Sequence, residues 1–316
     1  MSPPGILLGL FLLTTSCVAD FAYEGSHGPS HWGEEYRTCI GKHQSPINID
    51  EHTVRNTSLP SLEFNGLGKP HPMYLTNNGH TVMIRANQSD AAEIKGGPIG
   101  NETYVFEQLH FHWGANDREG SEDLINNHSF AMELHAVFYK KDYGSMSEAT
   151  NHRDGVTVLA YFYEVGNESN PTYEEIVALL PNAELATKYP LQESLLLNKL
   201  LKANPSSMQN YYTYEGSLTT PPCLEVVTWI DFKEPHLLSH DQITAFRNVR
   251  TDNGQKLTHN FRPVQPIEDR VIYHNVPNEE RSRHQHRSVS QGGSGQEGIK
   301  SSGLVVLFAA IFFAVW

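Results

Sequence analysis

Three histidines carry the chemistry that can be read from this sequence. His110 and His112 stand two apart in the run Gln108-Leu109-His110-Phe111-His112-Trp113-Gly114, and His135 follows in Glu133-Leu134-His135. Both runs are made of β-forming residues. In an extended chain, side chains two apart point the same way, so His110 and His112 share one face of a strand, and a neighbouring strand can bring His135 alongside. Three neutral imidazoles without a fourth protein ligand are the donor set of a catalytic zinc: tetrahedral, with one corner left for water. Taken singly, each of the chain's 17 histidines is more simply a core or surface residue. The His-x-His pair, flanked by side chains able to hold the rings, lifts these three out of that background.

The elements that must position them are strands. Residues 80–86, 104–113, 130–140, 156–165 and 225–232 are rich in Val, Ile, Thr and aromatics and are bounded by Gly, Pro, Asn or Asp, which reads as a large sheet. Helical signals are fewer. Residues 173–180 are amphipathic and stop at Pro181, and Ser239-x-x-Gln242 is a capping-box start for a helix to about residue 249. Residues 20–278 hold no repeat, low-complexity break or linker, so the expectation is one mainly β domain with short peripheral helices. Pro221-Pro222 after Thr219-Thr220 fixes an extended or turned backbone. By itself that is a plain turn.

Composition narrows the partners and the compartment. A formal charge of -13 argues against nucleic acid, because neutralising phosphates needs a basic face and no basic block of that size is present. Residues 5–13 form an apolar core followed by Cys17-Val18-Ala19, which reads as a secretory signal, residues 1–19, cut after Ala19, although its start lacks Lys or Arg. Cys17 leaves with it. Cys39 and Cys223 are then an even pair in an oxidising compartment and should bridge, constraining the unfolded chain by about 5 kcal/mol. Five Asn-x-Ser/Thr sequons agree: Asn56, Asn87, Asn101, Asn127 and Asn167. At the far end, residues 279–303 are a polar tail containing Gly292-Gly293-Ser294, and residues 304–316 are uninterrupted apolar or small side chains. Small triplet, spacer and terminal apolar tail read as a glycosylphosphatidylinositol (GPI) attachment signal, with Gly292, Gly293 and Ser294 as attachment candidates. The rival reading is a short tail-anchor helix.

Seven blocks occur together: Gln44-Ser45-Pro46-Ile47-Asn48-Ile49, Asn78-Gly79-His80, Gln108-x-His-Phe-His-Trp-Gly, Gly120-Ser121-Glu122, Glu133-Leu134-His135, Gly216-Ser217-Leu218-Thr219-Thr220-Pro221-Pro222 and Asn260-Phe261-Arg262-Pro263. In this order and at these intervals the sequence resembles the α-class carbonic anhydrases over nearly the whole of residues 20–278, and most of all their extracellular, lipid-anchored members. The resemblance implies a single domain with a large, twisted, mostly antiparallel sheet and a zinc ion in a conical cleft. It implies reversible hydration of carbon dioxide to bicarbonate and a proton at the outer face of the plasma membrane. His110, His112 and His135 match the zinc ligands, and Gln108, Glu133 and the backbone near Asn260 match the groups that hold them. Thr219 matches the hydroxyl that accepts from hydroxide at the metal and donates to an ionised Glu122. Thr220 stands beside it, and Val137, Val158, Leu218 and Trp229 match the apolar pocket for carbon dioxide. His80 matches the proton shuttle, suited to it because imidazole titrates near neutrality, while Tyr23 and Asn78 match residues that order the intervening water. Cys39 and Cys223 match the disulfide of extracellular members. Sulfonamide inhibition and association with bicarbonate transporters would follow from the same likeness.

Two positions depart from the family pattern. Asp123 stands where His or Asn is usual, and Met83 lines the expected cavity where many members carry a polar residue. Two rival functions belong beside the main one. A cell-surface binding module on the same fold without turnover is opposed by the presence of all three histidines, Glu122 and Thr219. A zinc hydrolase acting on esters is expected only as a side activity of so small an apolar pocket.

Overall fold

The strands around the histidines are long because both of their faces are buried. The structure, a computed structural model, describes residues 21–87, 92–201, 207–251 and 253–276. Fourteen strands are present among the described residues. The first seven are β1 (Asn48–Ile49), β2 (Arg55–Thr57), β3 (Glu63–Asn65), β4 (Met73–Asn77), β5 (Val82–Ala86), β6 (Glu93–Lys95) and β7 (Tyr104–Trp113). The others are β8 (Leu124–Ile125), β9 (Met132–Lys140), β10 (Val156–Gly166), β11 (Tyr189–Leu191), β12 (Tyr211–Gly216), β13 (Val227–Ser239) and β14 (Tyr273–Asn275). Twelve form one sheet in the order β11-β4-β5-β7-β9-β10-β13-β12-β14-β2, with β6 pairing both β7 and β3, while β1 and β8 pair separately. Within the large sheet only β10/β13 and β14/β2 are parallel, as a mostly antiparallel architecture requires.

Two apolar layers sandwich the sheet. Two one-turn helices, α1 (Trp32–Glu35) and α2 (Met146–Ala149), precede three longer ones, and on one side of the sheet Leu109, Phe111, Leu134, Ala136, Phe138, Leu159, Tyr161 and Ile230 pack with residues from α3 (Glu174–Leu179), α4 (Leu196–Leu201) and α5 (His240–Phe246). On the other side Val137, Val158, Ala160, Phe162 and Trp229 pack with Ile47, Ile49 and Phe130. The two-residue period of a strand puts His135 on this second face with Val137. Central strands buried on both faces read as near-continuous apolar runs, which is why 104–113, 130–140 and 156–165 were legible as strands.

The differences from expectation have local causes. The strand expected over 225–232 runs to Ser239, through Pro235. Its register against β10 shifts between Tyr161 and Tyr163, opposite Phe232 and His236, so Lys233, Glu234 and Pro235 lie in a bulge, where proline is tolerated. The capping box is present with both bonds: Gln242 N–H donates to Ser239 Oγ (3.3 Å) and Ser239 N–H donates to Gln242 Oε1 (3.2 Å). Helix α5 ends at Phe246, three residues before the expected stop. The expected helix 173–180 is a 3-10 turn leading into α3 at Glu174–Leu179, with Pro181 in the 3-10 turn that follows.

Cys39 and Cys223 are bridged, with Cα atoms 4.8 Å apart. No helix among the described residues is long and apolar enough to cross a membrane. The secretory signal, the polar tail, Gly292, Gly293, Ser294 and the apolar end all lie outside the described residues.

One surface tie joins β12 and β13 to the loops that carry Glu51 and Asn126. Glu51 takes a hydrogen bond from Lys233 Nζ (2.6 Å), another from the Tyr212 hydroxyl and a third from Asn126 Nδ2 (2.7 Å). The Lys233 bond first, then the others, hold its carboxyl at about 2, below the ordinary 4.5. A depressed carboxyl stabilises the fold fully above its unfolded value and loses that contribution as pH falls through the folded one. Glu51→Gln is therefore expected to lower the melting temperature at pH 7 by about 2–4 °C, the effect of about 1 kcal/mol from a partly exposed pair in a domain of this size. Thermal unfolding from pH 7 downwards should show the deficit shrinking between 4.5 and about 2.

Candidate metal centre

Antiparallel register brings the three rings together. His110 on β7 stands directly opposite His135 on β9, and His112 stands opposite Glu133. The ring centroids are 5.0 Å (His110 and His112), 5.2 Å (His110 and His135) and 4.6 Å (His112 and His135) apart. One nitrogen of each lies within 4.8 Å of the others, and among the described residues no further His, Cys, Asp or Glu joins this group.

The other nitrogen of each ring is held by the protein. His110 Nδ1 meets Gln108 Oε1 at 2.9 Å, His112 Nδ1 meets the Asn260 carbonyl at 2.7 Å, and His135 Nε2 meets Glu133 Oε1 at 2.6 Å. Each partner is an acceptor, so each bond fixes the hydrogen on that nitrogen and leaves the opposite one bare. The bare set is Nε2, Nε2 and Nδ1. Burial lowers all three affinities for protons, His112 to about 4, so the rings are neutral at physiological pH. His112 Nε2 is buried and has no partner of its own.

The holding groups are themselves held. Glu133 Oε2 accepts the backbone N–H of Glu122 (2.8 Å) and of Asp123 (3.0 Å), so one carboxylate ties His135 to the Glu122 loop. Asn260 is fully buried. Its Oδ1 accepts from Trp113 N–H at 2.7 Å, and its Nδ2 donates to the carbonyls of Phe111 (2.9 Å) and His80 (3.1 Å). Sequence reading assigned only the backbone here; the side chain fastens the ligand strand to the His80 turn.

Glu122 is buried beside the rings, its Oε2 3.4 Å from His112 Nε2 and 3.8 Å from His135 Nδ1. Its Oε1 accepts the Arg262 backbone N–H at 2.8 Å, its Oε2 has no hydrogen-bond partner among the described residues, and Thr219 lies close enough to favour the ionised carboxylate. Burial pushes its carboxyl up to about 8, against the pull of the Arg262 bond and of nearby Thr219. The ionised form expected from sequence is the one a nearby dication favours.

Arg262 was quoted only as part of a motif, yet it organises the base of the site. Its guanidinium donates to Gln44 Oε1, the Ser45 carbonyl and the Cys39 carbonyl, each at 2.9 Å. Gln44 Nε2 donates to the Cys223 carbonyl at 3.1 Å, so the disulfide and the Thr219 loop share one buried network with Glu122. Cys223 has a positive φ of 52° and donates its N–H to the Thr220 carbonyl at 2.8 Å.

The apolar wall is assembled by register. Val158 pairs with Val137 on one side and with Trp229 on the other, and Leu218 packs half-buried against the same cluster. The Trp229 ring lies 4.8 Å from that of His135. Met83 stands opposite His110 on β5, and its sulfur accepts from Arg85 Nε at 3.2 Å. Asp123, the other departure, is buried. Its Oδ1 accepts from Ile47 N–H (2.7 Å) and the Tyr214 hydroxyl (3.1 Å), so the polar position behind Glu122 stays hydrogen-bonded. Asp231 shares this layer with both oxygens unpartnered, and nothing in the sequence singled it out.

His80 follows a turn in which Asn78 Oδ1 accepts from His80 N–H (3.0 Å) and Thr81 N–H (2.9 Å). The Asn78 carbonyl oxygen is thus committed to the turn. Tyr23 is buried and packs edge-on against Trp32, with centroids 5.9 Å apart.

Three bare, neutral nitrogens on adjacent strands, from buried His112 and His135 and half-buried His110, fit a divalent ion that prefers nitrogen donors and keeps a corner open, and zinc is that ion. Fold and site together define a zinc enzyme built on a large mixed sheet. Residues 27–276 match the family model for eukaryotic-type carbonic anhydrase. The chain is 37% identical over 285 residues to human carbonic anhydrase 6, covering 87% of this chain and 90% of that one. It is 38% identical over 260 residues to human carbonic anhydrase 7, covering 80% and 96%, and 36% identical over 255 residues to putative carbonic anhydrase 3 of Caenorhabditis elegans, covering 79% and 95%. The chain belongs to the carbonic anhydrases, the zinc-dependent lyases that hydrate carbon dioxide reversibly.

The Glu133 bond to His135 gives this site a direct test. Glu133→Gln should weaken zinc about 10- to 100-fold, the usual effect of disturbing a ligand's own partner. Competition with a chelator on the purified protein reads it.

Proposed function

We propose that this chain hydrates carbon dioxide at the extracellular face of the plasma membrane, with His110, His112 and His135 holding zinc and His80 moving the proton. The observation that carries the reading is the convergence of three neutral imidazoles, each with one nitrogen committed to the protein and one bare, beside the Glu122 and Thr219 pair. Zinc bound there supplies activation of water near neutral pH, a property established for this enzyme family rather than deduced from these distances.

The protein's own groups then have separable tasks. With its hydrogen turned toward the nearby Glu122 carboxylate, the Thr219 hydroxyl would accept but not donate on its open side. It therefore orients a protonated oxygen nucleophile so that a lone pair faces the substrate. Val137, Val158, Leu218 and Trp229 offer carbon dioxide, which is uncharged, a dry wall beside the rings. Thr219 and Thr220, next in the chain to Leu218, are assigned to the substrate side on the family likeness. After each turnover a proton must leave, and His80, an imidazole on the Asn78-Gly79 turn, accepts it and returns it to buffer. Tyr23 and Asn78 border its path.

The surface supports a secreted, glycosylated protein. Asn56, Asn87, Asn101, Asn127 and Asn167 are all exposed, and Cys39 and Cys223 form the bridge that an oxidising compartment permits. The apolar end, preceded by Gly292-Gly293-Ser294, supports a GPI lipid anchor. Carbon dioxide and bicarbonate are the substrates, sulfonamides the expected inhibitors, and bicarbonate transporters the partners that such a location would serve.

Stopped-flow hydration on zinc-loaded protein, with and without a sulfonamide, tests the activity. Sulfonamide-sensitive hydration is expected, and zinc-loaded protein inert to carbon dioxide would leave the binding-module reading. His80→Ala should lower kcat at least about tenfold in weak buffer with kcat/KM unchanged, and imidazole buffers should restore part of it. Phosphatidylinositol-specific phospholipase should release the protein from cells; retention would point to an anchor helix.

A further inference from the structure

The covalent link between His112 and Glu122 is a loop whose ends meet. Gly114 stands two residues after His112 and Gly120 two before Glu122. A Cβ on Gly120 would lie 2.7 Å from the Gly114 nitrogen and 2.1 Å from the Ala131 carbonyl oxygen, and one on Gly114 would lie 2.2 Å from the Glu119 carbonyl oxygen. Neither end has room for a side chain. The tip, residues 115–119, makes no backbone hydrogen bond to another element among the described residues.

Side chains of α5 and of the residue that caps it hold that tip instead. The Phe246 ring packs against the rings of Phe111 (5.0 Å) and Trp113 (5.6 Å), which seats the helix on the ligand strand. His240, Thr244 and Arg247, spaced by four and then three residues, share one helix face. Arg247 Nε donates to the Gly114 carbonyl at 2.8 Å, its Nη2 to Asp117 Oδ1 at 2.7 Å and its Nη1 to Thr244 Oγ1 at 3.0 Å. His240 Nδ1 meets Asp117 Oδ2 at 2.6 Å. Both oxygens of Asp117 are thus tied to the helix, and one guanidinium, only 12% exposed, joins the tip of the loop to its first carbonyl. Burial alone would raise the Asp117 carboxyl, but the His240 and Arg247 bonds outweigh it and hold the group below the usual carboxylate range.

What lies beyond the loop needs accurate placement. Glu122 Oε2 stands 3.4 Å from His112 Nε2, and the N–H groups of Glu122 and Asp123 are the two that hold Glu133. The Arg262 N–H fixes the Glu122 carboxylate, whereas the α5 contacts act on the backbone that delivers it. We propose that Asp117 and Arg247 are positioning residues for Glu122, clamping the loop to α5 so that the carboxylate keeps its place beside His112. This rests on the roles assigned to Glu122 and His112 in carbon dioxide hydration. A released loop would let Glu122 wander relative to the ligand, which slows attack on the substrate and leaves proton release through His80 untouched.

Asp117→Ala, Asp117→Asn and Arg247→Lys in the full, zinc-loaded protein test this with two readouts. In Asp117→Ala the amides of Glu122 and Asp123 should exchange with solvent about tenfold faster, while those of Leu134 and Ala136 in β9 keep their rates. The value of kcat/KM for hydration should fall about three- to tenfold, with kcat in weak buffer unchanged because proton release limits it. Arg247→Lys keeps the charge but cannot serve the Gly114 carbonyl and Asp117 together, and should behave like Asp117→Ala. Asp117→Asn retains an acceptor for Arg247 and should recover most of both losses, which general destabilisation would not predict. Unchanged exchange at Glu122 and Asp123 in Asp117→Ala and Arg247→Lys would overturn the proposal, as would equal falls in kcat and kcat/KM. If the unaltered protein does not hydrate carbon dioxide, the functional reading fails first, and amide exchange still decides whether α5 holds the loop.

Discussion

A buried imidazole can offer a bare nitrogen only if something takes the hydrogen on its other one. In this protein the takers are Gln108, the Asn260 carbonyl and Glu133. Without them each ring would be free to choose its tautomer and to turn, and the three bare nitrogens would not face one another. The cost is that acceptors must be buried with the rings, and a buried acceptor needs partners of its own. Glu133 meets this with two backbone N–H groups from the Glu122 loop, and Asn260 with three bonds to the ligand strand and the His80 turn. The polar network around the metal centre is therefore larger than the centre itself.

That network explains why distant segments are needed. Arg262 joins the Cys39 loop, the Gln44-Ser45 segment and Glu122, and through Gln44 it reaches the loop after Thr219. The disulfide between Cys39 and Cys223 braces the same two segments covalently. Rigidity of this kind serves a reaction with a very small substrate. Carbon dioxide brings almost no binding energy with which to order a loose site, so the hydroxyl of Thr219 and the apolar wall must be in place beforehand.

Much of the fold was legible because the central strands announce themselves. Residues 156–165 are largely apolar on both faces and residues 104–113 are rich in aromatics and Val, and their boundaries came out within a residue. The short edge strands β2, β3 and β11 have three residues each and no periodicity to read. The extension of β13 through Pro235 was hidden because Pro235 lies in a bulge of β13 opposite Phe162, and a proline in such a run otherwise reads as the end of a strand. Asp231 was equally silent, since a single carboxylate in an apolar run carries no signal of where it points.

The sequence by itself determined which atoms are available: two histidines of like parity on one strand, a third in a strand of matching character, a carboxylate and a hydroxyl in recurring blocks, and two cysteines left to pair. Side-chain parity is a property of the extended chain, so it survives without knowledge of the fold. Only the tertiary structure decided that His110 faces His135 and not its neighbour, that Asn260 closes the site with its side chain as well as its carbonyl, and that Arg247 reaches the loop between His112 and Glu122. Register, burial and hydrogen bonding are relations between segments far apart in the chain, and a one-residue slip would reverse every one of them while leaving the local pattern unchanged.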